Sequence, residues 1–197
     1  MTPDISAFSL LIGAVFTSNI LLANYLGMCS FIAISRDINS SNGLGMAVTL
    51  VLTITGLINW LILQYILIPL GIIYLRYIVF IVVIAAVVQM LEMIIDRLSQ
   101  SLYMQLGIYL PLITVNCAIL GVALFIEIRQ YNFLQTLAYS VGSGLGWWLA
   151  IILLAAIRKK TDKSPVPEGL KGTGITMITI GVMAMGFLGF SGMLAVQ

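Results

Sequence analysis

The sequence predicts an all-α membrane protein of six transmembrane helices, arranged as a 3+3 inverted repeat, with helices 1 and 4 broken near the bilayer midplane. Three observations predict this. Of 197 residues, 61% are hydrophobic and only 8% charged, and mean hydropathy is +1.13, whereas a water-soluble domain carries about 25% charge to cover its surface. Six apolar windows are each long enough to cross roughly 30 Å of hydrocarbon, which takes about 20 helical residues. Cys29 lies in the first window and Cys117 in the fourth, and each is followed by a tryptophan, Trp60 or Trp148, at the same separation of 31 residues.

The windows run from about Phe8 to Ile34, Leu44 to Ile68, Ile73 to Ile95, Leu106 to Phe125, Phe133 to Ile157 and Ile175 to Ala195. No basic stretch precedes the first, which exceeds the length of a signal-peptide core, so it is expected to be retained as a span. Arg36 to Gly43 separates it from the second. Only Pro69 to Gly71 divides the second from the third. Leu44 to Ile95 is far too long for one crossing, so the Pro-Gly break reads as a tight re-entry turn. Asp96 to Gln100, Glu127 to Asn132 and the longest polar segment, Arg158 to Gly174, separate the remaining windows. Three spans separate the windows that carry the two cysteines, so the second half enters the membrane from the opposite side, as in inverted-topology repeats. The whole chain, 1–197, is expected to form one transmembrane domain, with repeats at about 8–98 and 102–195.

Lysine and arginine in alternate loops set the orientation. Arg36, Arg97, Arg158, Lys159, Lys160, Lys163 and Lys171 fall on one side, and Arg76 and Arg129 on the other. Seven against two places the first set in the cytoplasm and both termini outside, in the periplasm for a bacterial inner-membrane protein. The basic run Arg158 to Lys160 is read first as this topology signal, with contact to anionic lipid as the alternative.

Composition also excludes functions. A net charge of +2 and the lack of a basic stripe with interleaved aromatics argue against nucleic acid, so partners are expected in the lipid bilayer. Histidine is absent, which removes the usual proton shuttle and haem ligand. Two cysteines inside apolar runs exclude a secreted disulfide framework.

Around Cys29 the sequence reads Asn19-Ile-Leu-Leu-Ala-Asn24-Tyr-Leu-Gly27-Met-Cys29, and around Cys117 it reads Leu110-Pro111-Leu-Ile-Thr114-Val-Asn116-Cys117. Amides, glycine and proline in mid-window weaken a helix where unsatisfied backbone is costly. With two such breaks near the midplane and a pseudo-two-fold axis, the thiols approach each other at the bilayer centre. Four readings of the pair stand side by side. Free cysteine is commonly a small buried apolar residue. A disulfide needs exposure to an oxidising side, which mid-span positions oppose. Zinc wants four nitrogen or sulfur ligands, and there is no histidine. An iron-sulfur cluster wants four thiolates, so it would be shared with another subunit, and electron transfer across a membrane is then the implied class.

Gln89, Glu92 and Asp96 share one face of the third window by their spacing. An ionisable residue in a span is a functional candidate, which makes Glu92 a candidate for a cation path; the simpler reading is that it reaches water at the interface or pairs with Arg97. Arg76 and Arg129 read as anchors that snorkel to headgroups. Gly142 and Gly146, in GxxxG spacing with Gly144 between them, read as a close-packing face rather than a phosphate loop.

At Leu26-Gly-Met-Cys-Ser-Phe, Leu110-Pro-Leu-Ile-Thr-Val-Asn-Cys-Ala-Ile-Leu-Gly and Phe187-Leu-Gly-Phe-Ser-Gly192 the chain resembles a family of small membrane subunits shared by two bacterial redox pumps. These are the Na⁺-translocating NADH:quinone reductase, in its D and E subunits, and the Rnf ferredoxin:NAD oxidoreductase complex, in its A and E subunits. Gly-Met-Cys-Ser-Phe, Gly142-Ser-Gly-Leu-Gly-Trp147 and Val166-Pro-Glu-Gly-Leu-Lys-Gly-Thr-Gly-Ile175 resemble the reductase's E branch. Ile66-Leu-Ile-Pro-Leu-Gly71, with its short outer loop, is more similar to the A branch of the Rnf complex. The resemblance implies a homologous six-helix partner of opposite orientation and a [2Fe-2S] cluster shared between the two, with Cys29 and Cys117 as this chain's iron ligands. It also implies electron relay between flavin-bearing subunits, with NADH, flavins and ubiquinone handled by those subunits, coupling to Na⁺ export, and Glu92 on the cation path. A non-redox transporter or scaffold with inert cysteines is the reading of a different class.

Overall fold

The computed structural model describes residues 6–98, 110–165 and 167–190, and every regular element among them is helical. In chain order these are α1 (Ala7–Val15), α2 (Met28–Ile34), α3 (Ile38–Ile62), α4 (Arg76–Leu98), α5 (Leu110–Thr114), α6 (Cys117–Ile128), α7 (Phe133–Thr161) and α8 (Thr173–Leu188). Three stretches are long and apolar enough to cross a membrane: Ile38–Leu70, Arg76–Ile94 and Phe133–Thr161. They correspond to the second, third and fifth expected windows. The first window is divided between α1 and α2. Leu106 to Tyr109, the start of the fourth window, and Ser191 to Ala195, the end of the sixth, lie outside the described residues, as do Met1 to Ile5.

Helix ends depart from the sequence expectation in one direction, because helices run further into the polar segments. α3 starts at Ile38, inside the expected Arg36 to Gly43 gap, because Asp37 caps it by accepting from the Ser40 backbone N–H (3.0 Å) and hydroxyl (3.0 Å). α7 runs to Thr161 and carries Arg158 and its lysines as the last turn, where positive charge complements the helix dipole. At the far end, α3 continues through a π-helical turn, Leu63–Leu67, into Ile68–Leu70, and stops at left-handed Gly71 (φ +70°). Pro69 offers no N–H and crowds the carbonyl four residues back, and the widened turn directly before it accommodates both.

The solvent is written on the surface. Phe8, Leu50, Tyr65, Ile78, Val82, Met90, Met93 and Met185 are exposed, a set that water would not tolerate in such number and that lipid accepts. The buried side chains centre on α3 and α7, which pack most extensively, with α1 on one side of α7 and α6 and α4 beyond α3. The α3–α7 pair is antiparallel. A Cβ on Gly45 would stand 1.9 Å from Trp148, one on Gly144 would stand 2.8 Å from the Thr49 backbone, and Trp60 meets Phe133 with ring centroids 5.5 Å apart. Gly142 and Gly146 face α1, where a Cβ would stand 2.7 Å from the Leu11 carbonyl and 3.0 Å from the Val15 carbonyl. The glycines therefore let α7 approach two helix backbones at once.

Contacts at the two ends of this pair are reciprocal. The offset relating Cys29 to Cys117 also relates Trp60 to Trp148 and Gly45 to Phe133, so Trp148 on Gly45 and Trp60 on Phe133 are equivalent contacts. Each indole also ties down the start of the opposing helix: Trp60 Nε1 donates to the Tyr131 carbonyl (2.8 Å) and Trp148 Nε1 to Asn42 Oδ1 (3.0 Å).

Gly144→Ala forces a methyl against the Thr49 backbone and is expected to cost about 1–3 kcal/mol. Gly43→Ala, with nothing within 4 Å of the new methyl, is expected to gain about 0.5–1 kcal/mol in the same helix pair. Thermal melting of the purified assembly in detergent should rank the variants in that order. The hydrogen bonds from the Ser40 backbone and side chain hold the Asp37 carboxyl below the usual carboxylate range. Its contribution is present above the ordinary value of about 3.9 and is lost as pH falls through the lowered folded value. Asp37→Asn, which keeps an acceptor without the charge, should flatten that acid limb in pH-dependent melting.

Candidate functional site

Two asparagines organise the segments that carry the cysteines. After α1 the chain does not continue as helix. Asn19 is buried, and its amide donates to the Val15 carbonyl (3.0 Å) and to the Gly146 carbonyl on α7 (2.9 Å). Its Oδ1 accepts from the Leu21 and Leu22 N–H groups (3.1 and 3.3 Å). One side chain thus replaces hydrogen bonds that a helix would have made, as an apolar surround requires. Tyr25 (φ +55°) and Gly27 (φ +85°) then turn the chain into α2. In the second segment Asn116 is the N-cap of α6: its Oδ1 accepts from Ala118 N–H (3.0 Å) and its Nδ2 reaches Ser30 Oγ on α2 (3.5 Å). Cys117 is the first residue of α6 and Cys29 the second of α2.

The two segments meet at Gly27. Its N–H donates to Cys117 Sγ (2.9 Å). A Cβ there would stand 2.8 Å from Trp147 Nε1, 3.0 Å from Asn116 Oδ1 and 3.1 Å from Ala118 Cβ. Position 27 therefore needs glycine for its left-handed backbone and for its clearance. The two cysteines are free and exposed. Beside Cys117 lies a recess of about 380 Å³ lined by Ile81, Ile84 and Ala85 of α4 and by Val115, Asn116 and Leu120. Hence the polar scaffolding of the site is internal, and its sulfur atoms face outward.

Chemically, this is a pair of soft ligands with part of their electrostatic environment in place. A backbone N–H on Cys117 sulfur and the start of the α6 dipole both favour negative charge there. Among the described residues no three histidine, cysteine or carboxylate side chains come together. Two thiols fit half of a four-thiolate set, and the other half would come from another chain.

The carboxylates fall elsewhere. Glu92 is half-buried on α4 and Gln89 is exposed, and Glu92 makes no salt bridge with any described residue. Sequence reasoning misses Glu127. Expected in a loop, it is instead buried in α6 and ion-paired with Arg76. Arg76 is accordingly a tie between α4 and α6 rather than a snorkelling anchor, because a carboxylate in low dielectric needs a nearby partner. Arg129 donates to the Tyr131 hydroxyl (3.0 Å) and lies over the Phe125 and Tyr139 rings. The legible signal is an acid and an arginine, each at the same end of an apolar window. Arg158 likewise turns inward, donating to the Ile32 carbonyl (3.0 Å) and Ser35 Oγ (2.7 Å) at the end of α2.

Comparison with known proteins agrees with this architecture. The family described as "Rnf-Nqr subunit, membrane protein" matches residues 7–194. The E subunit of the Na(+)-translocating NADH-quinone reductase of Chlamydia trachomatis serovar L2 is 52% identical over 191 residues, covering 91% of this chain and 78% of the relative. Its counterpart in Chlamydia muridarum is 49% identical over 200 residues, covering 95% and 82%. That of Proteus mirabilis is 50% identical over 190 residues, covering 93% and 96%. With a match over nearly its whole length and relatives at half identity, the chain belongs to the Rnf-Nqr family of membrane-protein subunits.

Proposed function

We propose that this chain is a redox subunit of a Na⁺-translocating NADH:quinone reductase in a bacterial inner membrane, in which Cys29 and Cys117 supply two of four thiolates to a [2Fe-2S] cluster. The other two come from a homologous subunit of opposite orientation. One observation carries this reading: the Gly27 N–H to Cys117 Sγ hydrogen bond joins the two cysteine segments while both thiols stay exposed. A cluster held there supplies a one-electron relay. The chain's own residues position the sulfurs, compensate their charge and surround them with apolar surface. NADH, flavin and quinone chemistry belongs to other subunits of the complex, as the names of the half-identical relatives suggest.

In this reading the chain is one domain of six spans with both termini in the periplasm. Its repeats, about 8–98 and 102–195, are inverted, and spans 1 and 4 are interrupted near the midplane by the Asn19 to Gly27 and Val115–Asn116 segments. The antiparallel α3–α7 pair and its reciprocal tryptophan contacts support the inverted repeat. Glu92, half-buried and without a salt bridge to any described residue, is placed on the cation path whose flux the electron relay drives.

Cys29→Ala and Cys117→Ala, each made in the whole complex, are expected to abolish the iron signal in low-temperature EPR while the neighbouring subunit still co-purifies. A signal that survives both substitutions rules out the ligand assignment. For Glu92→Ala, sodium uptake into vesicles should fall at least several-fold more than quinone reduction does. Equal, wild-type values for both would take Glu92 off the path.

A further inference from the structure

Behind the cysteine segments lies a polar group with no partner. Trp147 is completely buried on α7, and its indole N–H makes no hydrogen bond. Trp60 and Trp148, by contrast, both have acceptors for theirs. An unmet donor in an apolar interior costs about 1–3 kcal/mol. Ring burial alone does not explain a tryptophan here, because phenylalanine would fill much of the space without that cost. Its position is specific. The ring stacks edge-on against Phe31 (centroids 6.5 Å apart), and Nε1 comes within 2.8 Å of the Cβ direction of Gly27, the residue whose N–H holds the Cys117 sulfur.

We propose that Trp147 is a positioning residue for the sulfur site, whose indole N–H, with the Gly27 N–H and the N-terminus of α6, forms a donor set that stabilises the more negatively charged, reduced form of the group held by Cys29 and Cys117. The inference rests on the cysteine assignment above. It adds that the midpoint potential of the site is set in part from within this chain, by a residue that does not touch iron. Hydrogen bonds and oriented dipoles near ligand sulfur raise the potential because they favour the state with the extra electron. Removing the donor therefore lowers it.

The test uses the intact complex and an EPR-monitored redox titration. Trp147→Phe is expected to keep the iron signal and to shift the ratio of reduced to oxidised site about tenfold at the wild-type midpoint, equivalent to about 59 mV for one electron. Because Trp147→Phe also loosens packing, a second variant replaces the indole at position 147 by benzothiophene, which keeps the bicyclic shape and lacks only the N–H. A negative shift in the benzothiophene variant supports the proposal whatever Trp147→Phe does. An unshifted potential in the benzothiophene variant overturns it and leaves Trp147 as packing alone. Failure of the underlying reading looks different: the iron signal would persist in Cys29→Ala and Cys117→Ala.

Discussion

In hydrocarbon there is no water to take up an unpaired backbone group, and the rest of this structure follows from how the chain meets that obligation where it is not helical. Between α1 and α2, and again before α6, peptide groups lose their helical partners, and in each place a buried asparagine takes over. Asn19 binds the non-helical segment to itself and to α7 through the Gly146 carbonyl. Asn116 caps α6 and reaches the other cysteine-bearing helix at Ser30. Without these amides the segments would revert to helix or open. With them, the first residues of α2 and α6 are held at one place, and each begins at or beside a cysteine.

The central helix pair makes that place possible. α7 lies close to α1 and α3 because glycines at 142, 144 and 146 remove the side chains that would separate them. Dispersion at such short range, rather than expulsion of water, is the available attraction between helices in lipid. Trp147 sits in the same run, so the motif that brings the backbones together also delivers an indole to Gly27.

Much of this is legible in the sequence, and the remainder fails for identifiable reasons. The apolar windows, the glycine face of α7 and the special character of the two cysteine segments follow from residue type and spacing. Helix ends do not, because caps such as Asp37 and inward-turned charges such as Arg158 carry helix into polar sequence. The Arg76–Glu127 pair is hidden because its members are 51 residues apart and each resembles an ordinary boundary charge. Trp147 reads as an apolar body, since a sequence does not reveal that a donor lacks an acceptor.

The outward-facing side chains carry a further consequence, for how the chain can change over time. Lipid asks of Phe8, Leu50, Ile78, Val82 or Met185 only that they be apolar. It imposes no shape, so isoleucine, leucine, valine and methionine are interchangeable there at little cost. Gly27, Gly144 and the two asparagines have no such freedom, since each is the one residue type that fits its clearance or its hydrogen bonds. Substitutions should therefore accumulate on the rim of the molecule and spare a thin internal skeleton, so that half of the residues can drift while the arrangement of the thiols stays fixed.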